Sequence, residues 1–581
     1  MKRSFDLELK TLYHGGLALF GCWTLQILLG ITVRNPLTVV FFAFLFWAAN
    51  KAPKGGKVRF VSAVLLTFLF AFLTRNNVFG AFESSLFRSL SKLIVFVGVF
   101  CLSYILIGLI YSLFAANKID AIVERPAIEP MDKKEPYKGA GFVLTVALIC
   151  LIFWLPYFLY EFPGVMTADS LVQFAEIIGD EPWSNHHPVL HTLLLWGLYD
   201  LGLAVSGDSE VGIAFYTVFQ MVFMAFCCGI LTNHLNSRRR QILAVAFYTL
   251  VPFNAVYVVT IWKDIIYAGI AMLLVCLVID MRKEENTDKK VYWCLFVVLS
   301  ILFSLFRSNA WIAFILWAVV FVIAFRKKLL TSVSAVAVVI ACVVLIKGPV
   351  FNAFGVASPD FVESLSVPAQ QISRVLVDDV SIDDLDKELI ERVIDTTYIK
   401  ELYAPDFADN IKELIRAGQP AILEENKILY FKLWLKLCIQ HPYEYVRAWY
   451  DQVGGYIYPD VSVRVADLDG IMQNSYNLYW NPIIGGKVVV KLKEIAIKLG
   501  DFVPIYGMLW SIGAYFWLLV ISTFVCLVRK ENVLCKTLFL LLVFTLLLAA
   551  PVVDFRYGYA YVMTMPLWAV MGNNSHGTLG G

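Results

Sequence analysis

Residues 141–160, GFVLTVALICLIFWLPYFLY, run directly into residues 161–191, EFPGVMTADSLVQFAEIIGDEPWSNHHPVLH. The first stretch is uncharged and long enough to cross a bilayer as a helix, which takes about 20 residues. The second holds Glu161, Asp169, Glu176, Asp180, Glu181 and three histidines, but no Lys or Arg. Basic residues of membrane proteins collect on the cytoplasmic side, so a loop without them beside an apolar span is expected outside. An acidic residue just past a span, followed by a His-Pro turn, marks a candidate catalytic loop at the membrane surface.

The rest of the chain frames that loop. Its 581 residues are 59% hydrophobic and only 16% charged, with a mean hydropathy of +0.71. Soluble chains are nearer 25% charged. The apolar residues fall in span-length runs, which gives an all-α polytopic membrane protein. The net charge of +2 offers no argument for a nucleic-acid partner. The start, MKRSFDLELK, is basic, but no small-residue cleavage site follows the first apolar run, so that run is expected to be retained as a span. Most of the 11 cysteines lie in apolar runs, and the polar segment 348–504 has only Cys438. Neither an internal disulfide there nor zinc spacing is indicated.

Placing Lys and Arg inside sets the order of crossings. Spans at 15–33, 36–50, 58–74 and 89–113 form an N-terminal four-span unit, residues 1–114. Residues 115–140, with Pro126, Pro130 and Pro136, read as a cytoplasmic linker. A transmembrane core follows over 141–347, with its outer loop at 161–210. Its spans are 141–160, 211–232, 242–260, 263–281, 291–306, 309–325 and 329–347. Val189–Val205 is also apolar, but if it crossed, Arg238, Arg239 and Arg240 would lie outside. Gly197, Asp200 and Gly202 interrupt it. It is therefore expected as an amphipathic juxtamembrane helix. In residues 348–504, LDKELIERVIDTTYIKELY and ILYFKLWLKLCIQHPYEYVRAWY have helical apolar spacing, as in a mostly helical extracellular domain. C-terminal transmembrane helices at 505–528, 535–553 and 556–571 complete about 14 crossings, both termini inside. Residues 572–581 read as a disordered tail.

Asp169 leads the candidates for chemistry. It sits near the start of a helix running to Gly179, and the local alternative is that Thr167 or Asp169 caps that helix. Lys263, Arg307 and Arg556 occupy short outer turns, a side that basic residues normally avoid. Asn309 and Tyr557 share the turns of the two arginines. Arginine holds phosphate oxygens bidentately and lysine acts as a point charge, so these turns suit a phosphate. The alternative pairs them locally, Lys263 with Asp264 and Arg556 with Asp554. His186, His187 and His191 flank Pro188, which suits a first helical turn. They are candidates for phosphate binding, metal binding or proton shuttling, although their spacing fits no standard zinc motif. Residues 366–375, SVPAQQISRV, add Gln370, Gln371 and Arg374 for carbohydrate or pyrophosphate contact, with helix-surface polarity as the alternative.

In order, VMTADSLVQF, NHHPVLHTLL, a surface helix ending in GDSE, and then FRSN, VPAQQISRV and DFRYGY resemble the GT-C class of integral-membrane glycosyltransferases. That class includes protein O-mannosyltransferases and aminoarabinose transferases, and the likeness is greatest to an uncharacterised bacterial branch. It covers most of residues 141–571. The resemblance implies a GT-C-like helical core in a bacterial plasma membrane, acting on its outer face. It implies transfer of a sugar from a polyprenyl-phosphate carrier to an extracytoplasmic acceptor (a cell-envelope glycan, lipid or protein), and the mechanism expected for it is inverting transfer with the Asp169 carboxylate as base. Asp169 matches the first-loop catalytic acid. Two departures, a single Asp in place of an adjacent Asp-Glu pair and a His-Pro element lacking a second proline, leave the acceptor and any divalent-metal requirement open. No cofactor is implied.

Two other classes stay open from the residues. A transporter or flippase of envelope precursors would also be polytopic, but should carry charged or broken helices near mid-membrane. A polysaccharide ligase or polymerase using an undecaprenyl-diphosphate-linked glycan would centre on the large outer segment, with Arg374 or His441 in place of Asp169.

Overall fold

The computed structural model describes residues 2–29, 37–51, 56–73, 86–115, 135–459, 469–502, 506–528 and 531–569. Most of the expected linker 115–140 and all of the tail 572–581 lie outside these residues, as do Lys54, Arg529 and Lys530, three of the basic residues expected on the inside. The described residues are helical, with isolated β-bridges in place of strands. Six of their helices are long and apolar enough to cross a membrane, seven if one bent pair counts as a span. Six further apolar helices have 10–17 residues. This is a helical membrane protein.

Two units divide the chain, Met1–Lys133 and Lys134–Gly581. The first contains α1 (Lys2–Leu28), α2 (Leu37–Lys51), α3 (Lys57–Leu73) and α4 (Leu86–Ala115). Ala18, Cys22, Leu45, Ala48, Leu102 and Ile105 form its core. The small Ala18, Cys22 and Ala48 among them let the helices approach closely, which is how helices associate in lipid.

The second unit begins with α5 (Ala140–Tyr160), α6 (Ala168–Ile178), α7 (Val189–Ser206), α8 (Ser209–His234), α9 (Arg238–Leu250), α10 (Pro252–Val258) and α11 (Lys263–Met281). Next come α12 (Lys290–Phe306), α13 (Ser308–Ala324) and α14 (Leu329–Leu345), the last within a continuous helical stretch Arg326–Ala353. The middle of the bundle is α11, whose apolar window is 83% buried, against 28% for α5. Anything at the N-terminus of α11 is therefore surrounded by protein.

The expected span 242–260 is instead broken, with α9 and α10 meeting at 62°. Pro252 is the cause. The residue before a proline avoids the helical region, and Val251 is extended. Pro252 also lacks an N–H for the carbonyl four residues back. That carbonyl, on Tyr248, accepts from the Trp154 indole at 3.0 Å, and Phe247 O accepts from Asn254 Nδ2 at 2.8 Å. Both freed acceptors are satisfied, so the break is stable.

The helix expected over Val189–Val205 is present, but without the expected amphipathic division into two faces. One stripe of α7, with Thr192, Leu195, Tyr199 and Gly202, is buried, yet its other face exposes Leu193, Trp196, Leu201 and Val205. The helix is apolar all round, as a helix facing both protein and lipid must be. By length and composition it qualifies as a span. It packs along α8, with His191 on Tyr216 and Gly202 on Gly212.

Residues 361–453 carry a second core of Val362, Val375, Ile390, Ile411, Leu433, Leu437 and Tyr445, among others. It joins α15 (Ser366–Val377), α16 (Asp384–Glu391), α17 (Asp409–Ala417), α18 (Lys427–Gln440) and α19 (Pro442–Val453). Beyond it are α20 (Lys487–Phe502), α21 (Ile512–Val528) and α22 (Leu534–Ala549). The expected last span, 556–571, is not one helix. Its described part is a 3-10 turn, Phe555–Gly558, followed by the short helices Tyr559–Met563 and Met565–Trp568, the second entered through Pro566.

Candidate active site

The site is built where three chain segments meet. Val165 N donates to Val259 O and Ile261 N to Val165 O, both at 2.9 Å. Met166 N donates to Gly470 O and Met472 N to Met166 O, both at 3.0 Å. Residues 165–166 are thus stitched between 259–261 and 470–472. Gly164 makes this approach possible. It takes φ +148°, and a Cβ there would lie 2.4 Å from Thr217 Oγ1. The stitching brings the start of α6 against the start of α11, and hence Asp169 against Lys263.

Asp169 does not cap α6. Thr167 is the N-cap and Asp169 lies in the first turn. Thr167 Oγ1 accepts from the Trp262 indole at 2.8 Å, and Thr167 N donates to Ser170 Oγ at 3.3 Å. The carboxylate instead meets two cations through one oxygen: Arg556 Nη1 is 2.8 Å and Lys263 Nζ 3.6 Å from Asp169 Oδ2. Lys263 also donates to His187 Nδ1 at 2.8 Å, so that nitrogen is unprotonated. Burial opposes ionisation of Asp169, but Lys263 and Arg556, aided by His187, outweigh it and hold its carboxyl well below the usual range. Burial, reinforced by Lys263, pushes His187 down to about 2. Burial likewise lowers His186.

Arg556 also donates through Nε to Asp554 Oδ2 at 2.8 Å. Its guanidinium lies 4.7 Å from the Trp262 ring centre and 5.1 Å from that of Tyr557. Burial opposes its charge, but Tyr557, Asp169 and Asp554 overcome this and hold it firmly protonated. Arg307 also lies by Tyr557, 4.5 Å from the ring centre. It pairs with the fully buried Asp264 and donates to Asn309 Oδ1 at 3.2 Å, and Asn309 donates in turn to Thr545 Oγ1 at 3.4 Å. Lys263 therefore pairs with Asp169, not with its neighbour Asp264, which goes to Arg307. The local pairing expected for Arg556 and Asp554 is present alongside the long-range one.

The other candidates lie elsewhere. His191 is fully buried, its ring nitrogens against Gln173 Oε1 at 2.8 Å and Tyr216 Oη at 2.7 Å. Gln370 donates to Ala404 O at 2.7 Å, and Gln371 to Tyr445 O at 3.2 Å while accepting from the Trp434 indole at 2.8 Å. Arg374 pairs with Asp378 at 2.7 Å and Asp451 at 3.5 Å. These three hold the helical segment 361–453 together and are not part of the Asp169 cluster. Glu176, by contrast, gains importance. It is 2% exposed, accepts from Ser184 N and Thr192 Oγ1, both at 3.2 Å, and burial pushes it up to about 7. Asp169, Gln173 and Glu176 follow one another at i, i+4 and i+7, the spacing of a single helix face. That spacing was the readable signal for Gln173 and Glu176; nothing in the sequence pointed to residues 470–476.

Among the described residues no group of three His, Cys, Asp or Glu side chains could hold a metal ion. Around Asp169 the neighbours are cations, the wrong set for a divalent cation and the right one for an anion.

Residues 178–577 match the model of a family of unknown function, DUF6020. The chain belongs to this family. Lys263, Arg307 and Arg556 lie within the matched residues and Asp169 just before them. No curated protein and no solved structure matches the chain.

Proposed function

We propose that this member of the family is a membrane glycosyltransferase, moving a sugar from a polyprenyl-phosphate carrier to an extracytoplasmic acceptor by inverting transfer. The observation that carries the reading is the meeting of Asp169 with Lys263 and Arg556 at the end of the central apolar helix. A carboxylate is thereby placed beside cations suited to a lipid phosphate. The rest of the proposal has the site on the outer face of a bacterial plasma membrane, both termini cytoplasmic, and a GT-C-like core in about 14 crossings with α7 at the surface. Keeping Arg238, Arg239 and Arg240 on the inside supports that last placement.

In the reaction, an acceptor hydroxyl attacks the anomeric carbon from the face opposite the phosphate. The bond from that carbon to the phosphate oxygen breaks, its electron pair leaving with the polyprenyl phosphate. Asp169 takes the hydroxyl proton. Arg556 and Arg307 stabilise the charge that develops on the leaving phosphate. Held by both cations, Asp169 is a weak base. A donor phosphate that draws Lys263 and Arg556 onto its own oxygens restores basicity to Asp169, so the base is activated when the donor is bound.

The test is binding of undecaprenyl phosphate to the purified protein in nanodiscs, with undecaprenol as the uncharged control, followed by transfer from an undecaprenyl-phosphate sugar. The reading expects phosphate-dependent binding. Equal binding of the phosphate and the alcohol would sink it. Movement of the labelled carrier across liposomes without acceptor would favour a transporter.

A further inference from the structure

A cavity of about 780 Å³ opens over α6, lined by Ala168, Val172, Ala175, Glu176, His186 and Ser475, among others. We propose that it receives the acceptor, and that the acceptor is an electrically neutral, polyhydroxylated molecule such as a saccharide. This rests on the glycosyl-transfer reading and specifies its second substrate.

Three features carry the proposal. The first is position. Ala168, Leu171, Val172, Ala175 and Glu176 line the cavity and make one face of α6. Ala168, at one end of this strip, is the sequence neighbour of Asp169 in the first turn of α6. The second is chemistry. Among the described residues the lining includes two carboxylates, Glu176 and Glu181, the His186 imidazole, and the side chains of Gln473, Ser475 and Tyr476, but no Lys or Arg. Such a wall repels phosphate, which the Lys263 and Arg556 side attracts, and it offers hydrogen bonds to hydroxyl groups. Glu176, raised to about 7 by burial, can accept or donate such a bond near neutral pH. The third is preorganisation. Asn474 Oδ1 accepts from Tyr476 N at 2.9 Å and Leu478 N at 3.3 Å, and Asn474 Nδ2 donates to Met472 O and Leu478 O, both at 2.9 Å. The wall at 473–476 therefore has a fixed shape, and the Phe174 ring packs on Tyr476 from within, with centroids 5.6 Å apart. The volume falls in the range of small-molecule sites, about 300–1,000 Å³.

The experiment is protection of an introduced thiol. Ser475→Cys is labelled in nanodiscs with an impermeant maleimide and read at the peptide level. Maltose, cellobiose and diacetylchitobiose are the neutral probes, and glucose 6-phosphate is the anionic one. At twice its dissociation constant a neutral probe should slow labelling about threefold by mass action. Glucose 6-phosphate should not. Adding Val172→Trp, a substitution at an exposed position that fills the cavity, should abolish protection at an unchanged melting temperature; Val172→Phe serves if the larger side chain lowers it. No slowing by any neutral probe, equal slowing by the phosphate, or protection that survives filling would each overturn the proposal. Undecaprenyl phosphate binding is measured on the same samples. If it persists while saccharide protection is absent, the acceptor assignment fails and the donor reading stands; if only it is absent, the donor reading fails.

Discussion

Asp169→Asn separates the two roles that the site assigns to one carboxylate. The substitution keeps shape and removes charge. In the protein, Asp169 holds Arg556 at 2.8 Å and Lys263 at 3.6 Å, and the two cationic side chains are only 13% and 15% exposed. A charge-assisted contact of this kind contributes about 1.5–3 kcal/mol. Losing the one to Arg556 frees that guanidinium for a donor phosphate. Each 1.4 kcal/mol is tenfold in affinity, so the dissociation constant for undecaprenyl phosphate should fall by about tenfold or more. Turnover should move the other way, by about 10²–10⁴, because the proton acceptor is gone. Tighter donor binding with lost turnover is the signature. The assay pairs lipid-phosphate titration in nanodiscs with single-turnover sugar transfer, and the melting temperature monitors folding. Thr167, not Asp169, is the N-cap, so a helix-end effect should leave both measurements unchanged. Weaker donor binding, or turnover near that of wild type, would refute the reasoning.

Arg556→Ala and Arg307→Ala should each weaken undecaprenyl phosphate binding about tenfold or more, and should leave saccharide protection of the cavity in place; unaltered donor binding in both removes them from the site. Single cysteines introduced at Ser184, Ser209 and Ser237 should report the topology: an impermeant thiol reagent on intact cells should label the first two and miss the third, and labelling of Ser237→Cys without Ser209→Cys would mean that α7 crosses. Glu176 is raised from the ordinary 4.5 to about 7, so its contribution to stability is whole below about pH 4.5 and is lost as pH rises through 7, where a buried carboxyl must ionise. The melting temperature of wild type should accordingly fall between pH 5 and 8 relative to Glu176→Gln, and parallel curves for the two would contradict the burial of that group.

The helical membrane class was readable because apolar runs of span length have few other uses. So was the turn between α12 and α13, since Arg307 interrupts two apolar runs. Hydropathy did not reveal the break at Val251, because Pro252 lies in a run that is apolar on both sides and acts through a missing N–H. It did not reveal the segmented end of the chain either, where Pro566 and the 3-10 turn at Phe555–Gly558 interrupt an equally apolar stretch. For the site, residue types at the outer turns suggested an anion, but pairing could not be read. Lys263 sits next to Asp264 in sequence, yet its carboxylate partner is Asp169, brought close by backbone bridges at Val165 and Met166. Gln370, Gln371 and Arg374 illustrate the opposite error. Their polarity looked like a ligand surface, but each side chain makes at least one hydrogen bond or ion pair inside the helical segment, Gln370 through its Nε2 alone.

The cluster's own charges decide where an anion can enter. Three cations, Lys263, Arg307 and Arg556, stand with three carboxylates, Asp169, Asp264 and Asp554. A phosphate can take a cation wholly only where a carboxylate yields it, and otherwise shares the donors that the carboxylate leaves unused. Asp264 is fully buried against Arg307, and taking its partner away would strand an uncompensated charge in the interior, which is strongly unfavourable. Asp554 is anchored twice, its Oδ1 accepting from Arg556 N at 3.0 Å and its Oδ2 from Arg556 Nε. Asp169 is the most exposed of the three, at 29% against 26% and 0%, and it meets both its cations through a single oxygen. It is the carboxylate that water can stabilise when its cations leave. The exchange therefore falls to Asp169. The residue that blocks the phosphate site in the paired arrangement is the one released as a base when the phosphate arrives, and a proton can be taken from the acceptor only after the donor is in place.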